Sequence, residues 1–129
     1  MDRIDLHVPV PPVAGEELTG DRPGEGSSEV RGRVVRARER QRARFRGRRG
    51  VHANGQMGPR EMRRFCRPRG EVARLLQRSL DRIGLSARAY HRILKVARTI
   101  ADLDGSDEIA PVHAAEALQY RTLDRKEVV

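Results

Sequence analysis

The stretch Gly84-Leu-Ser-Ala-Arg-Ala-Tyr-His-Arg-Ile-Leu-Lys-Val-Ala-Arg-Thr-Ile-Ala-Asp-Leu-Asp-Gly105 decides the fold, because its helix signals are complete. Ser86 is a good N-cap residue, and Gly105 is typical of the position that follows a helix. These signals predict an amphipathic helix of about five turns. Its apolar residues have the spacing of one buried face, at positions 89, 90, 93, 94, 97, 100 and 101, and its polar face holds residues 88, 92, 95, 99 and 102.

The first turn of this helix carries Arg88, a cation at the end where the helix dipole prefers anions. Two interpretations follow. Arg88 is either an ordinary solvated side chain or a residue positioned to meet a phosphate.

Two further predicted helices precede this stretch. Pro59 is a plausible first residue of a short helix to about Phe65, and Pro68 with Glu71 opens a longer one to Ile83. Gly84 ends the longer helix. Its apolar positions are spaced for one buried face: Val72, Leu75, Leu76, Leu80 and Ile83.

The predicted helices at the two ends of the domain are less regular. Ser27 or Ser28 is expected to cap a helix to about Phe45, whose narrow apolar stripe is surrounded by arginines. Pro111 is expected to begin the last helix, which ends near Tyr120. The inward positions are Val30, Val34, Ala37 and Phe45 with Gln41 in the first helix, and Val112, Ala114, Ala115 and Leu118 in the last.

Residues 46–58 lack periodicity and contain four glycines, which predicts a flexible basic loop. Arg46, Arg48 and Arg49 in this loop are candidate nucleic-acid contacts. The plain alternative is that the loop is only a connector.

The N-terminal residues 4–10 alternate apolar and polar side chains, as a β-strand does, although Pro9 restricts it to an edge or a strand end. The sequence contains no second strand pattern, so this strand needs a sheet from elsewhere or is disordered. Residues 13–27 read as a linker. The fold class is therefore all-α, a small helical bundle preceded by an orphan N-terminal β-strand and a linker.

The formal net charge of +9 is concentrated in the centre of the chain, where residues 31–98 carry +18 against −5 before and −4 after them. A basic centre of this density suggests a polyanion partner, which could be nucleic acid, a nucleotide or an acidic protein. Almost all basic residues are arginines, so a general preference for arginine is the alternative explanation.

Several chemistries have no support in the sequence. It contains no Gly-x-x-x-x-Gly-Lys-Ser/Thr loop to cradle a triphosphate, and nothing identifies an activated nucleophile. The four histidines lie on different elements and Cys66 stands alone, so no metal site is expected. No apolar run approaches the length of a membrane span, and a cytoplasmic setting is expected.

Five segments, taken in order, resemble the C-terminal part of the magnesium-chelatase-like AAA+ ATPases of the YifB/ComM type. The most specific is residues 84–103, quoted above, followed by Ile109-Ala-Pro-Val-His-Ala-Ala-Glu-Ala-Leu-Gln-Tyr-Arg121. The shorter ones are Asp2-Arg-Ile-Asp-Leu-His-Val8, Gly26-Ser-Ser-Glu-Val30 and Gln56-Met-Gly-Pro-Arg-Glu-Met62.

The resemblance implies an ATP-driven ring whose core carries the Walker and sensor motifs and is followed by a helical lid. Residues 1–26 would be the end of that core, its last strand and linker, and residues 27–129 the lid. ATP and Mg²⁺ would then be bound only through a separate or missing core. The partners would be that core or neighbouring ring subunits, and the family's work is thought to be remodelling of DNA, as in branch migration during transformation.

Two arginines acquire roles from this resemblance. Ser86-Ala87-Arg88 matches the sensor-2 position, where the lid arginine approaches the γ-phosphate, and a guanidinium can pair with phosphate oxygens bidentately. Arg3 falls where related ATPases place an arginine finger that points into the neighbouring subunit's nucleotide.

Because the sequence starts within the family's last core strand, the chain is expected to be a truncated or split product, or a domain cut from a larger protein. Catalysis by the chain alone is not expected. The alternative function is a stand-alone basic helical module that binds DNA or an acidic partner without catalysis, and the plainest is a remnant with no function.

Overall fold

The computed structural model describes Leu6, Val8 and residues 26–84 and 86–126, with side chains as far as Tyr120. Secondary structure within these residues is entirely helical, which confirms the all-α prediction. The predicted N-terminal strand and linker lie outside the described residues, apart from Leu6 and Val8. The helices are α1 Ser27–Arg44, a 3₁₀ turn Asn54–Gln56, α2 Pro59–Phe65, α3 Gly70–Ile83, α4 Ala87–Leu103 and α5 Pro111–Lys126.

Helix α4 is the centre of the bundle, since α1, α2, α5 and the 3₁₀ turn all pack against it. Helix α3 packs on α5. The N-cap prediction is confirmed, because the Ala89 N–H donates to Ser86 Oγ at 3.2 Å. Gly105 has φ +73°, a backbone conformation that favours glycine.

The predicted buried face of α4 is confirmed for its aliphatic residues. Ile93, Leu94, Ala97 and Ala101 are buried, and each large aliphatic side chain contributes about 1.5–3 kcal/mol of burial free energy. The polar-face assignment of Asp102 is wrong, because its side chain is fully buried, and Arg98 beside it is buried too. The cost of burying these two charges is offset because they bind each other and further polar groups.

Helix α1 begins at Ser27, and its N-cap is Gly26, which has no side chain to accept a hydrogen bond. Its predicted inward stripe is right only at the C-terminal end, where Ala37, Gln41 and Phe45 are buried. Val30 and Val34 are exposed.

The other helices lie close to their predicted bounds, and Gly84 ends α3 in the left-handed conformation with φ +69°. The orientation predicted for the last helix is partly wrong. Ala114 and Leu118 face inward as expected, but Val112 is 67 % exposed, Ala115 is exposed, and His113 and Ala117 are buried instead. Helix α5 also continues past Tyr120 to Lys126.

Residues 46–58 were expected to form a flexible loop, and this expectation is wrong. Val51 and Met57 belong to the main apolar core, and Asn54 within the 3₁₀ turn is buried. Phe45 and Phe65 close the core beneath this segment with an edge-to-face contact, their ring centroids 5.6 Å apart. The segment is therefore an ordered part of the domain.

Candidate functional site

Arg88 lies in the first turn of α4, immediately after the N-cap Ser86. Its side chain is exposed and has no hydrogen bond or ion pair with the residues that the structure describes. Ala89, the next residue, is buried against the bundle and fixes the turn. The guanidinium of Arg88 is thus presented to solvent at a well-anchored helix start, where the dipole adds further positive potential.

The opposite end of α4 is held by a buried ion network centred on Asp102. Arg44 of α1 binds the carboxylate with both terminal nitrogens, at 2.5 Å to Oδ1 and 2.8 Å to Oδ2. Arg98, one turn earlier on α4, lies 3.2 Å from Oδ1. Burial lowers the pKa of the Arg98 guanidinium, while the nearby Asp102 carboxylate raises it. Breaking such a buried pair is costly, because it leaves an uncompensated charge.

Asn54 connects the segment 46–58 to the same network. Its Nδ2 donates to Asp102 Oδ2 at 2.8 Å and to Thr99 Oγ1 at 3.1 Å. Its backbone N–H donates to Gln41 Oε1 of α1 at 2.9 Å. A single buried asparagine therefore ties this segment to both α1 and α4.

The structure brings Arg46, Arg48 and Arg49 together with Arg60 around one open cavity, whose lining also includes Glu61. Arg46 and Arg49 are exposed. Arg48 is instead engaged within the fold, because its Nη1 lies 3.3 Å from Glu61 Oε2 and its guanidinium stacks on Phe65 at 5.3 Å from the ring centroid. We call Arg46, Arg48, Arg49 and Arg60 the basic turn.

The structure describes two of the three sequence-predicted sites, Arg88 and the arginines at positions 46, 48 and 49. Within the described residues, no hydrogen bond or ion pair joins Arg88 to the basic turn. Arg3, the candidate arginine finger, lies outside the described residues.

An apolar groove was missed at the sequence level. It has a volume of about 670 Å³ and lies between α4 and α5. Two described residues of the predicted strand, Leu6 and Val8, are among its lining residues, and the others include Val96, Ile100, Leu103, Val112 and Tyr120.

His113 and Cys66 are the two chemically versatile residues in the interior, and both have hydrogen-bond partners within the fold. His113 Nδ1 accepts the Ala110 N–H at 2.9 Å, so in the neutral ring Nε2 carries the proton and donates to Asp104 Oδ2 at 3.0 Å. Burial raises the pKa of the Cys66 thiol to about 11, so it is uncharged at neutral pH. No cluster of three or more potential metal ligands occurs in the described part of the chain.

The Asp102 network was also missed at the sequence level. Its one available signal was the spacing of Arg98 and Asp102, four residues apart on one helix, which is typical of an ion pair. Nothing in the sequence indicated that Arg44 and Asn54, more than 45 positions away from Asp102, would join them.

Comparison with known proteins supports a family assignment. A family model described as the C-terminal domain of the magnesium chelatase subunit ChlI matches residues 24–121. Competence protein ComM of Haemophilus influenzae is 44 % identical over 127 residues, and YifB of Escherichia coli K12 is 44 % identical over 126 residues. The Mycobacterium bovis protein Mb2921c is 37 % identical over 122 residues.

The first two alignments cover 97 % of this chain and the third 94 %. In each case the chain spans 24 % of the length of its relative. In the described part of the chain, no helix combines the length and the apolar character that crossing a bilayer requires.

Proposed function

Because the chain belongs to the family of magnesium chelatase ChlI C-terminal domains, we propose that it is the lid of a magnesium-chelatase-like AAA+ ATPase and that Arg88 is its sensor-2 residue. The observation that carries this proposal is the state of Arg88. It is exposed at the start of the central helix, and it has no hydrogen-bond or ion-pair partner among the described residues.

Arg88 suits a phosphate group chemically. Two sources of positive potential, the guanidinium and the helix N-terminus, meet at one point without an anion from the described part of the chain. A guanidinium can donate two parallel hydrogen bonds to phosphate oxygens and stabilise the charge that develops on them. ATP and Mg²⁺ would be bound by an ATPase core, because this sequence has no phosphate-binding loop. When bound there, ATP supplies the phosphoryl group to be cleaved.

Helix α4 gives the lid a means of transmitting movement. Its first turn carries Arg88, and its last turn is clamped to α1 and to Asn54 through Asp102. A shift of Arg88 toward or away from a phosphate would therefore move α1 and the ordered segment 46–58 together with α4, as one packed unit. The apolar groove between α4 and α5 has Leu6 and Val8 among its lining residues, so it offers a surface on which these two residues can pack.

The wider assembly is part of the same proposal. The lid would act in a cytoplasmic ring of identical subunits, where Arg3 would reach the neighbouring subunit's nucleotide, and the ring would remodel DNA. The relative from Haemophilus influenzae carries the name competence protein, which is consistent with DNA as the substrate.

The test of the Arg88 assignment is ATP turnover in a full-length ATPase that contains this chain. Arg88→Ala should reduce kcat by about 10³-fold or more, the magnitude known for arginines that stabilise phosphoryl transfer. The fold should be preserved, because the side chain is exposed. Arg78→Ala removes an exposed arginine from α3 and serves as the matched control. Equal turnover in the two variants would refute the sensor-2 assignment.

A second candidate function is a DNA-binding module without catalysis. The observation that favours it is the basic turn, where Arg46 and Arg49 are exposed beside Arg60. Contacts with the phosphate backbone would make binding strongly dependent on salt and weakly dependent on sequence. A lid role predicts weak DNA binding and tight docking to an ATPase core instead.

A further inference from the structure

A second arginine cluster consists of other residues than Arg88 and the basic turn, and it adjoins the basic turn at Phe65, on which Arg48 stacks. It surrounds a small cavity of about 160 Å³ between the loop that joins α2 to α3 and the loop that joins α4 to α5. Arg64, Arg67, Arg69 and Arg98 line it, and Phe65 and Ile109 complete its apolar wall. Arg67 and Arg69 are exposed and have no ion pair with the described residues.

Arg98 contributes an incompletely satisfied cation to this cavity. Its side chain is only 4 % exposed. Its two terminal nitrogens donate to the backbone carbonyls of Asp107 at 2.9 Å and Ser106 at 2.8 Å, but Nε is buried and has no hydrogen-bond partner. A buried donor without a partner is uncommon and costs about 1–3 kcal/mol, and more when it is charged, and a bound water or ion is one explanation for such a group.

The buried charges nearby do not balance. Two arginines, the buried Arg98 and the partly exposed Arg44, share the single carboxylate of Asp102, which leaves one excess positive charge around it. Cys66 does not neutralise it, because burial keeps its thiol protonated at neutral pH. An anion close to Arg98 would stabilise such an excess positive charge.

Two carboxylates also line the cavity, and neither removes the positive potential. Asp107 binds Arg40 at 2.9 Å, outside the arginine cluster, and its side chain is 92 % exposed. Glu108 is exposed as well. Four arginines therefore face two solvated carboxylates, one of which already has a cationic partner.

We propose that this cavity binds a single phosphate group, held by Arg67 and Arg69 at its rim and facing Arg98 at its floor. The cavity volume of about 160 Å³ suits a small group such as phosphate, because sites for drug-sized ligands are larger, at roughly 300–1,000 Å³. Guanidinium groups are the preferred partners of phosphate oxygens. The proposed phosphate site does not depend on the lid role, because all the residues that line the cavity belong to this chain.

The test is a titration of the 129-residue chain with inorganic phosphate at constant ionic strength, followed by amide chemical shifts, with chloride as the reference anion. Saturable shifts are expected in the backbone amides of residues 66, 67, 69, 70 and 106–109, with phosphate but not with chloride. The double variant Arg67→Ala/Arg69→Ala should bind phosphate about tenfold more weakly or worse, a loss of about 1.4 kcal/mol. Both side chains are exposed, so the variant should fold.

The matched control is Arg78→Ala/Arg82→Ala, which removes two exposed arginines from α3 and should leave phosphate binding unchanged. The proposal is overturned if the shifts do not saturate, if chloride reproduces them, or if both double variants weaken binding equally. Competition with a short single-stranded DNA then identifies the source of the phosphate. If the DNA displaces inorganic phosphate from this cavity, the phosphate that the site binds belongs to a nucleic-acid backbone. If inorganic phosphate remains bound, the ligand is a free phosphate group. In both cases, saturable phosphate binding supports the site.

Discussion

At the scale of single residues, the arginines of this chain have very different environments, although the sequence makes them look alike. Arg88 is exposed and without an ion-pair partner among the described residues, whereas Arg44 and Arg98 bind the buried Asp102. Arg48 stacks on an aromatic ring. Helical periodicity predicted the exposure of Arg88 correctly. It failed for Asp102, because burial of that carboxylate depends on partners distant in sequence.

The network makes a clear prediction for stability. Asp102→Asn removes the only carboxylate within hydrogen-bonding reach of Arg44 in the described residues, and it leaves the buried Arg98 and the partly exposed Arg44 without a counter-charge. The free energy of unfolding should fall by about 3–5 kcal/mol, as measured for broken buried pairs. Urea denaturation monitored by circular dichroism gives the value.

Asp107→Asn is the matched control, because it removes an exposed carboxylate that pairs with Arg40. Its cost should be below about 1 kcal/mol. If the two variants were equally stable, the buried network would not be a main stabilising element of the domain.

At the scale of elements, local signals predicted the helices well and their orientations less well. Ser86, Pro59, Gly84 and Pro111 mark helix ends through backbone chemistry, which depends on a few neighbouring residues. The inward face of α5 was predicted incorrectly at Val112 because its alanines and His113 pack in the interior. Neither residue type gives a strong apolar signal in the sequence.

The segment 46–58 is a second case in which local sequence signals did not predict the packing. Its glycines and arginines suggested flexibility, yet Asn54 and Gln56 order it through hydrogen bonds to side chains and backbone. Gln56 Oε1 accepts the backbone N–H groups of His52 and Ala53, at 2.8 and 3.2 Å. Such polar contacts have no periodicity, so pattern analysis could not detect them. The consequence is that the basic turn is held by an ordered segment.

The basic turn permits a test of the DNA-binding candidate at this scale. If Arg46 and Arg49 contact DNA phosphates, Arg46→Ala/Arg49→Ala should weaken binding to all sequences similarly and reduce the slope of log K against log salt by about two. Fluorescence anisotropy with duplex DNA at several salt concentrations measures both quantities. The control Arg78→Ala/Arg82→Ala should retain the slope. An unchanged slope in the first variant would exclude the basic turn as a phosphate-contacting surface.

At the scale of the whole molecule, the all-α fold and the family were both predicted from the sequence and are confirmed. The fold was accessible because low aromatic content and strong helix signals agree with each other. The candidate site was accessible only in part. Arg88 could be found from its place after an N-cap and from the resemblance, but the cavity around Arg98 depends on two loops that meet only in three dimensions.

In the proposed function, the first turn of α4 would meet ATP bound by a core, and the clamp at Asp102 would make α4 the element that responds to it. The most direct test is amide hydrogen exchange of a full-length ATPase containing this chain, with and without a non-hydrolysable ATP analogue. We expect slower exchange in residues 86–92 when the analogue is bound, and no change for the isolated 129-residue chain. Identical exchange in these residues, with the analogue demonstrably bound to the core, would contradict the lid assignment.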